Sequence, residues 1–447
     1  MSRVRIVLCF SIIVLAHALA AEKPAPRVEY LDNGTIKIGI DLSIGGSITY
    51  LADSKHLENI INSYDWGRQI QQSYYSGPVP FGSPAEAWKA LGWNPVQSGD
   101  CYNNCSRVLE FRRESNLLYV KTVPMHWPLN NVPGECIMEN WIELDRNTAK
   151  VRCRLSNNRS DRTQYPARSQ ELPALYTNGT FWRLMTYTGD KPFSNAPLER
   201  IPKREVGASF PWRNFLATEC WAALVNDSDW GVGIVTPGTH AYLGGFAGKE
   251  NTGREKDSPC GYIAPLQNEI IDHNIVYDYS YTLVVGTLNE IRGIAYSLRQ
   301  KDSRPNYVFS QDRQHWTYAN ATDSGWPIQN KLRVSLEHPN PQLLSPACAY
   351  RAEDVPTLYM RAMTNGRLTG SRVYWKCHGD AAFDPARSMA FELTPGKSPH
   401  TIGIDLFKAA TYKGTITGIR IDLASGSSKD QFVEIDYIGH KKPEERK

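Results

Sequence analysis

Thr35 to Leu42 reads TIKIGIDL, with Ile36, Ile38, Ile40 and Leu42 alternating with Thr35, Lys37, Gly39 and Asp41. A strand points successive side chains to opposite faces, so this alternation predicts a half-buried β-strand. The same pattern recurs at Val108 to Phe111, Leu117 to Val123, Ile137 to Leu144, Lys150 to Leu155 and Ile275 to Val285. Helical periodicity is scarce. Its best instance, Glu290 to Arg299 (EIRGIAYSLR), is interrupted by Gly293. The expected fold class is therefore all-β, a large antiparallel sandwich rather than a parallel α/β sheet.

A second β unit is expected from Lys331 onward. Its strand candidates are Leu332 to Leu336, Thr357 to Ala362, Arg372 to Lys376, Met389 to Leu393, Thr401 to Leu406, Ile416 to Leu423 and Phe432 to Ile438. Short strands separated by turn signals suit a smaller sandwich or jelly roll. The expected division is a leader over 1–20, a first domain over 21–300, a connector over 301–330, a second domain over 331–440 and a disordered tail over 441–447. Trp316, Tyr318 and Trp326 are unusual for a free linker. They either dock the connector on a neighbour or begin the second domain.

The first twenty residues read as an export signal. Arg3 and Arg5 precede an apolar core from Ile6 to Leu15, and Ala18-Leu19-Ala20 offers a small-residue cleavage site. A secreted, extracellular protein without a membrane span is expected. The formal charge of the 447-residue chain is +4, or +2 without the two arginines of the leader. So small a balance argues against a nucleic-acid binder. Of nine cysteines, Cys9 leaves with the leader. The remaining eight, an even number, fit disulfides in an oxidising compartment. Cys101 with Cys105 and Cys348 with Cys377 are candidate pairs, though spacing does not fix connectivity. Sequons stand at Asn33, Asn104, Asn158, Asn178, Asn226 and Asn320.

Asn62 to Tyr75 reads NSYDWGRQIQQSYY and follows the turn Gly45-Gly46-Ser47. Aromatic rings stack on pyranose faces, while Arg and Gln forks hydrogen-bond hydroxyls and carboxylates. The opening strand, Gly45-Gly46, Asn62, Asp65, Gly67 and Arg68 resemble the galactose-mutarotase-like β-supersandwich proteins over about Pro26 to Arg299. That resemblance implies an antiparallel supersandwich shared by sugar epimerases, polysaccharide lyases and glycoside hydrolase domains, so fold alone does not settle function. Val373-Tyr374-Trp375-Lys376, Phe391 to Asp405, Gly414-Thr415-Ile416, Ile419 to Asp422 and Val433 to Ile438 are similar to accessory, carbohydrate-binding-like β-sandwich modules.

The candidate chemistry follows from residue type. Arg68 and Arg168 are substrate-contact candidates because a guanidinium grips a carboxylate with two bonds. Gln72 is expected on the Arg68 face, with Gln69 and Gln71 on the other. Glu171, beside Leu172-Pro173-Ala174-Leu175, is a candidate general acid or base, since an apolar flank raises a carboxyl pKa. Tyr176, His126 and His240 are candidate bases. Glu219, entering an apolar strand, is a candidate carboxylate that would pair with Glu171 in a hydrolase. Trp93 and Trp127 are groove candidates, as are Trp88, Trp182 and Trp212. No metal or cofactor motif is present, so neither is expected. The expected function is a polysaccharide lyase acting on a uronate-containing glycan. The alternatives are a glycoside hydrolase using paired carboxylates and a non-catalytic glycan binder.

Overall fold

A computed structural model describes residues 24–55, 57–204, 211–427 and 429–444. The leader reading therefore lies outside the described residues, as does the end of the tail. Among the described residues, no helix is long and apolar enough to cross a membrane.

The chain is nearly all β. One ten-stranded sheet runs in the order Val28–Asp32, Ile36–Asp41, Ser47–Asp53, Ile70–Ser73, Arg168–Asn178, Cys260–Glu269, Ala241–Ala247 and Trp212–Leu216, with Pro95–Val96 and Met125–His126 branching from Ile70–Ser73. A nine-stranded sheet faces it, in the order Glu199–Arg200, Arg183–Thr186, Trp221–Val225, Trp230–Val235, Val276–Thr287, Thr148–Asn157, Cys136–Asp145, Leu117–Val123 and Arg107–Glu114. Alternation builds the core between them. Ile36, Ile38 and Ile40 from one sheet meet Leu118, Val120, Ile142 and Leu283 from the other. Their interleaved partners face outward, as period-two patterning requires.

The helix Leu288–Leu298 lies on the outer face of the nine-stranded sheet. Thr287 and Glu290 form a reciprocal capping box at its start. Leu288, Ile291 and Ala295 pack on Trp221, Ala223, Val225 and Val284. Gly293 sits on the exposed side and does not break the helix. The glycine that matters is Gly233 beneath it. A Cβ there would stand 2.3 Å from Ile291 Cγ2, so only glycine lets the helix approach this closely.

Residues 306–439 form a second pair of antiparallel sheets. Asn306–Val308, Phe432–Gly439, Leu358–Thr364 and His400–Ile404 are joined by Leu332–Ser335 in one. Thr317–Ala319, Gln342–Leu344, Thr415–Asp422, Arg372–Cys377 and Ser388–Ala390 are joined by Tyr350–Arg351 in the other. The segment read as a connector thus contributes two strands. Trp316 and Tyr318 are buried with Trp375 in the second core. Their apolar area, rather than linker chemistry, explains why rings occur there.

Two groups of polar contacts are among those that join the pairs of sheets. In the first, the buried Arg313 guanidinium donates to Asp272 (Nη1–Oδ2 2.6 Å) and forks onto Asp323 (2.6 and 2.7 Å). Gln164 Nε2 bridges both carboxylates, and His315 Nδ1 bonds Glu269. In the second, His378 Nε2 bonds the Thr188 carbonyl at 2.6 Å and Thr415 Oγ1 donates to that of Asp190 at 2.8 Å.

The disulfide expectation is corrected: the eight cysteines after Cys9 are free thiols in this structure. Cys136, Cys153, Cys220, Cys260 and Cys348 are buried, where a thiol packs as a small apolar group. The sequon at Asn178 is also unfavourable in the folded chain. Its side chain is buried, and the amide that would carry a glycan donates to the Asn59 carbonyl.

Candidate functional site

The outer face of the ten-stranded sheet carries an aromatic and acidic cluster. Tyr176 lies opposite Tyr262, Tyr262 opposite Gly245, and Gly245 opposite Trp212 on four adjacent strands. Because Gly245 has no side chain, the Trp212 indole reaches Tyr262, with ring centroids 4.9 Å apart. Tyr176 closes on Tyr262 at 4.4 Å and on Trp212 at 6.2 Å. Ala174 and Ala264 lie beneath these rings, with Leu243 and Leu266 beside them. The strand register is irregular between Glu171 and Leu175, which shifts the alternation by one residue, so Leu172 and Leu175 both point to the inter-sheet core while Glu171 and Ala174 point outward.

Glu171 is the chemical centre of this face. Its Oε2 accepts from Tyr262 Oη at 2.5 Å and from Tyr75 Oη at 3.1 Å. Among the described residues no donor is paired with Oε1. Gln170 pins Tyr75 in place by bonding its N–H (2.7 Å) and its carbonyl (2.9 Å). Burial raises the Glu171 carboxyl above its ordinary value, and the two phenol bonds offset only part of that rise. Burial and the Glu171 charge hold the Tyr75 and Tyr262 phenols well above theirs, so both stay protonated donors.

Arg168 stands at one end of the same strand. Its guanidinium lies 5.9 Å from the Tyr75 ring and donates to the carbonyls of Leu91 (2.6 Å), Ala90 (3.4 Å) and Ser76 (3.5 Å). Carbonyls orient the group without cancelling its charge. Arg68 lies at the other end, where Tyr176 N–H bonds the Gln69 carbonyl. It donates to the Ser258 carbonyl (2.8 Å) and to Asn62 Oδ1 (3.3 Å), pairs with Asp65 at 3.3 Å, and lies 4.7 Å from the Tyr64 ring. The two arginines thus stand at opposite ends of this strand. Trp127 borders Arg68: its indole occupies the space that a Cβ on Gly67 would need, at 2.8 Å, and it meets Trp88 edge-on at 5.6 Å.

Five sequence candidates lie away from this face. Gln72 faces the inter-sheet space, fully buried, where it donates to the Glu139 carbonyl and Asn140 and accepts from Tyr74 Oη. The positive φ of Gln69 breaks the simple alternation that would have put Gln72 beside Arg68. Trp93 is fully buried in a core with Tyr74 and Met138. His126 is buried against Phe81 and Trp93, and burial pulls it down to about 4. It is therefore a neutral core histidine. His240 sits off this face, buried beside Cys220 Sγ (3.4 Å from Nδ1) and likewise pulled to about 4 by burial.

Glu219 is the fifth. Its carboxylate is buried under the helix, gripped by Arg292 (3.0 and 2.8 Å) and bonded by Trp221, Tyr296 and the Phe193 N–H. Trp221 and the helix lie on the outer face of the nine-stranded sheet, whereas Glu171 is on the outer face of the other. The whole sandwich separates them, and packed sheets are about 10 Å apart before side chains are counted. Paired glycosidase carboxylates need roughly 5–9.5 Å across one cleft. Glu171 and Glu219 do not form such a pair.

Tyr75 and Tyr262 are the hydrogen-bonding neighbours of Glu171 that residue-type reasoning missed. Tyr75 closes the quoted Asn62 to Tyr75 stretch, and Tyr262 alternates with Ile263 and Ala264 in a strand whose pattern is legible in sequence. Trp182 is elsewhere, bonded to Asp227 and stacked on Arg200.

No protein-family model and no curated protein sequence matches this chain. Among solved structures it is similar to a galactose mutarotase-like protein from Lactobacillus casei ATCC 334, with 12% identity and a TM-score of 0.37 over 58% of this chain and 100% of that one. It is also similar to a galactose mutarotase-like protein from Clostridium acetobutylicum (9% identity, TM-score 0.36, 59% and 99%). A third is a 4-alpha-glucanotransferase from Thermococcus litoralis (14% identity, TM-score 0.32, 60% and 40%). Likenesses this distant carry no argument about chemistry, which rests on the geometry around Glu171.

Proposed function

We propose that the chain is an exported polysaccharide lyase that cleaves a uronate-containing glycan on the outer face of the ten-stranded sheet. The observation that carries this reading is a partly buried Glu171, raised in pKa and held between two phenols, beside the half-buried rings of Tyr176 and Trp212 and an arginine that no carboxylate pairs with among the described residues. A carboxylate with a raised pKa is a stronger base once ionised. The half-buried rings of Tyr176 and Trp212, packed on the buried Tyr262, offer flat faces for pyranose stacking. Arg168 supplies the positive field that a uronate carboxylate needs as charge builds on it.

The step balances as a β-elimination. Glu171 takes the proton on the carbon beside the uronate carboxylate. The freed electron pair forms the new C=C bond, and the glycosidic C–O bond breaks. The departing oxygen takes a proton from the Tyr176 hydroxyl.

The test is incubation with uronate and neutral polysaccharides while following ultraviolet absorbance of unsaturated ends. The expected result is absorbance growth on uronate chains only, lost by at least 100-fold in Glu171→Gln. Tyr262→Phe removes a bond that lowers the Glu171 pKa, so the acid limb of the pH–rate curve should move to higher pH with the carboxylate still in place. New reducing ends without unsaturation would replace the lyase reading with hydrolysis. Glycan retention that is unaffected by Glu171→Gln and unaccompanied by cleavage would replace it with binding alone.

A further inference from the structure

The two pairs of sheets enclose a cavity of about 640 Å³ on the far side of the first unit from Glu171. Its floor is built from Cys220 and His240 of the first unit and Tyr350 of the second. All three side chains are buried. The rim carries Lys191, Arg299 and Lys301 from one unit and Arg351 from the other.

Among the described residues, no carboxylate lies within ion-pair distance of Lys191, Arg299 or Lys301, while Arg351 pairs with Glu353 at 3.0 Å. Asp190 and Asp354 are the acids on the rim, and Glu219, which also lines the cavity, is paired with Arg292 at 2.8 Å. The cavity is thus cationic at its mouth and uncharged at its floor. Phe193, on the same wall, offers a ring face 5.7 Å from the Arg299 guanidinium. The volume lies within the roughly 300–1,000 Å³ typical of small-molecule sites.

We infer that this cavity between the two units is a second ligand site, which takes a small oxyanion-bearing molecule with its anionic group at the rim and its polar, uncharged part at the floor. The inference does not rest on the lyase reading, because the site shares no residue with the Glu171 face. The same chemistry could come from an acidic sugar or from a free inorganic oxyanion. Because both units supply walls, occupancy also ties them together, and ligand binding raises the folded state's stability by mass action.

The experiment is calorimetric titration of the full chain with three probes: a uronate trisaccharide, a neutral trisaccharide of matched linkage and inorganic sulfate. Wild type should bind the uronate probe at least 10-fold more tightly than the neutral one. Arg299→Glu combined with Lys301→Glu should lose at least 10-fold. The exposed control pair Lys249→Glu and Lys397→Glu should stay within 2-fold. Glu171→Gln should bind the cavity probe unchanged, which separates this site's failure from that of the active-site reading. Sulfate binding with the same loss on rim charge reversal supports the site with a free oxyanion as occupant. Equal binding of charged and neutral trisaccharides overturns the inference, as does equal loss in rim and control variants. If the reversed pair unfolds, Arg299→Gln with Lys301→Gln carries the same test and should still weaken binding several-fold.

Discussion

Arg313→Met removes the centre of the buried ion cluster that joins the two units. Arg313 and Asp272 each expose only 4% of their side chains, and Asp323 exposes none. The methionine fills much of the space but leaves two buried carboxylates without their shared cation. Breaking a buried pair in this way costs about 3–5 kcal/mol. The two bonds onto Asp323 and the one onto Asp272 place this site toward the upper end. The assay is urea unfolding read from tryptophan fluorescence, with Trp316 buried in the adjoining core.

A pH series sharpens the test. Burial alone would raise the Asp323 carboxyl, but Arg313 outweighs it and holds the group below its ordinary value. In wild type that depressed carboxyl stabilises the fold above its unfolded pKa of about 3.9, and the contribution is lost as pH falls through the lower folded value. Without Arg313, burial leaves the same carboxyl raised, so the variant's deficit is greatest near neutral pH and shrinks toward pH 4. Replacing the set with Arg313→Met, Asp272→Asn and Asp323→Asn should recover most of the loss. A single-variant deficit under about 1 kcal/mol, or one that does not change between pH 7 and pH 4, would refute the reasoning.

Two further outcomes follow from the packing. Gly233→Ala places a methyl 2.3 Å from Ile291 Cγ2 and should cost about 1–3 kcal/mol by thermal unfolding, with part of the loss recovered by adding Ile291→Val. His126→Phe removes an imidazole that burial holds at about 4. The lowered folded value makes wild type lose stability as pH falls from about 6.5 toward 4, by about 3 kcal/mol in all, and the variant should not show that loss. Denaturant midpoints measured at pH 7 and pH 4.5 check it.

Much of this fold is legible in single segments because alternation is a local property. The reading Leu117 to Val123 coincides with the strand, Ile137 to Leu144 falls inside Cys136–Asp145, and Lys150 to Leu155 falls inside Thr148–Asn157. The helix was legible through Glu290, although it starts two residues earlier, at Leu288, behind its cap at Thr287. At the site, Glu171 stood out by its apolar flank. Its phenol partners did not, because Tyr75, Glu171 and Tyr262 are separated by about a hundred residues in sequence and meet only through strand pairing.

The amino-acid order alone determined the all-β class, a minority of the strand positions and the presence of a ring-, arginine- and carboxylate-rich front half, since each of these depends on spacing between near neighbours. Tertiary structure decided which charges are free. Glu171 and Glu219 have similar apolar surroundings in sequence, yet one faces outward between phenols while the other is neutralised beneath a helix on the opposite sheet. The exposure of a side chain depends on what distant segments pack over it, and no local pattern contains that information.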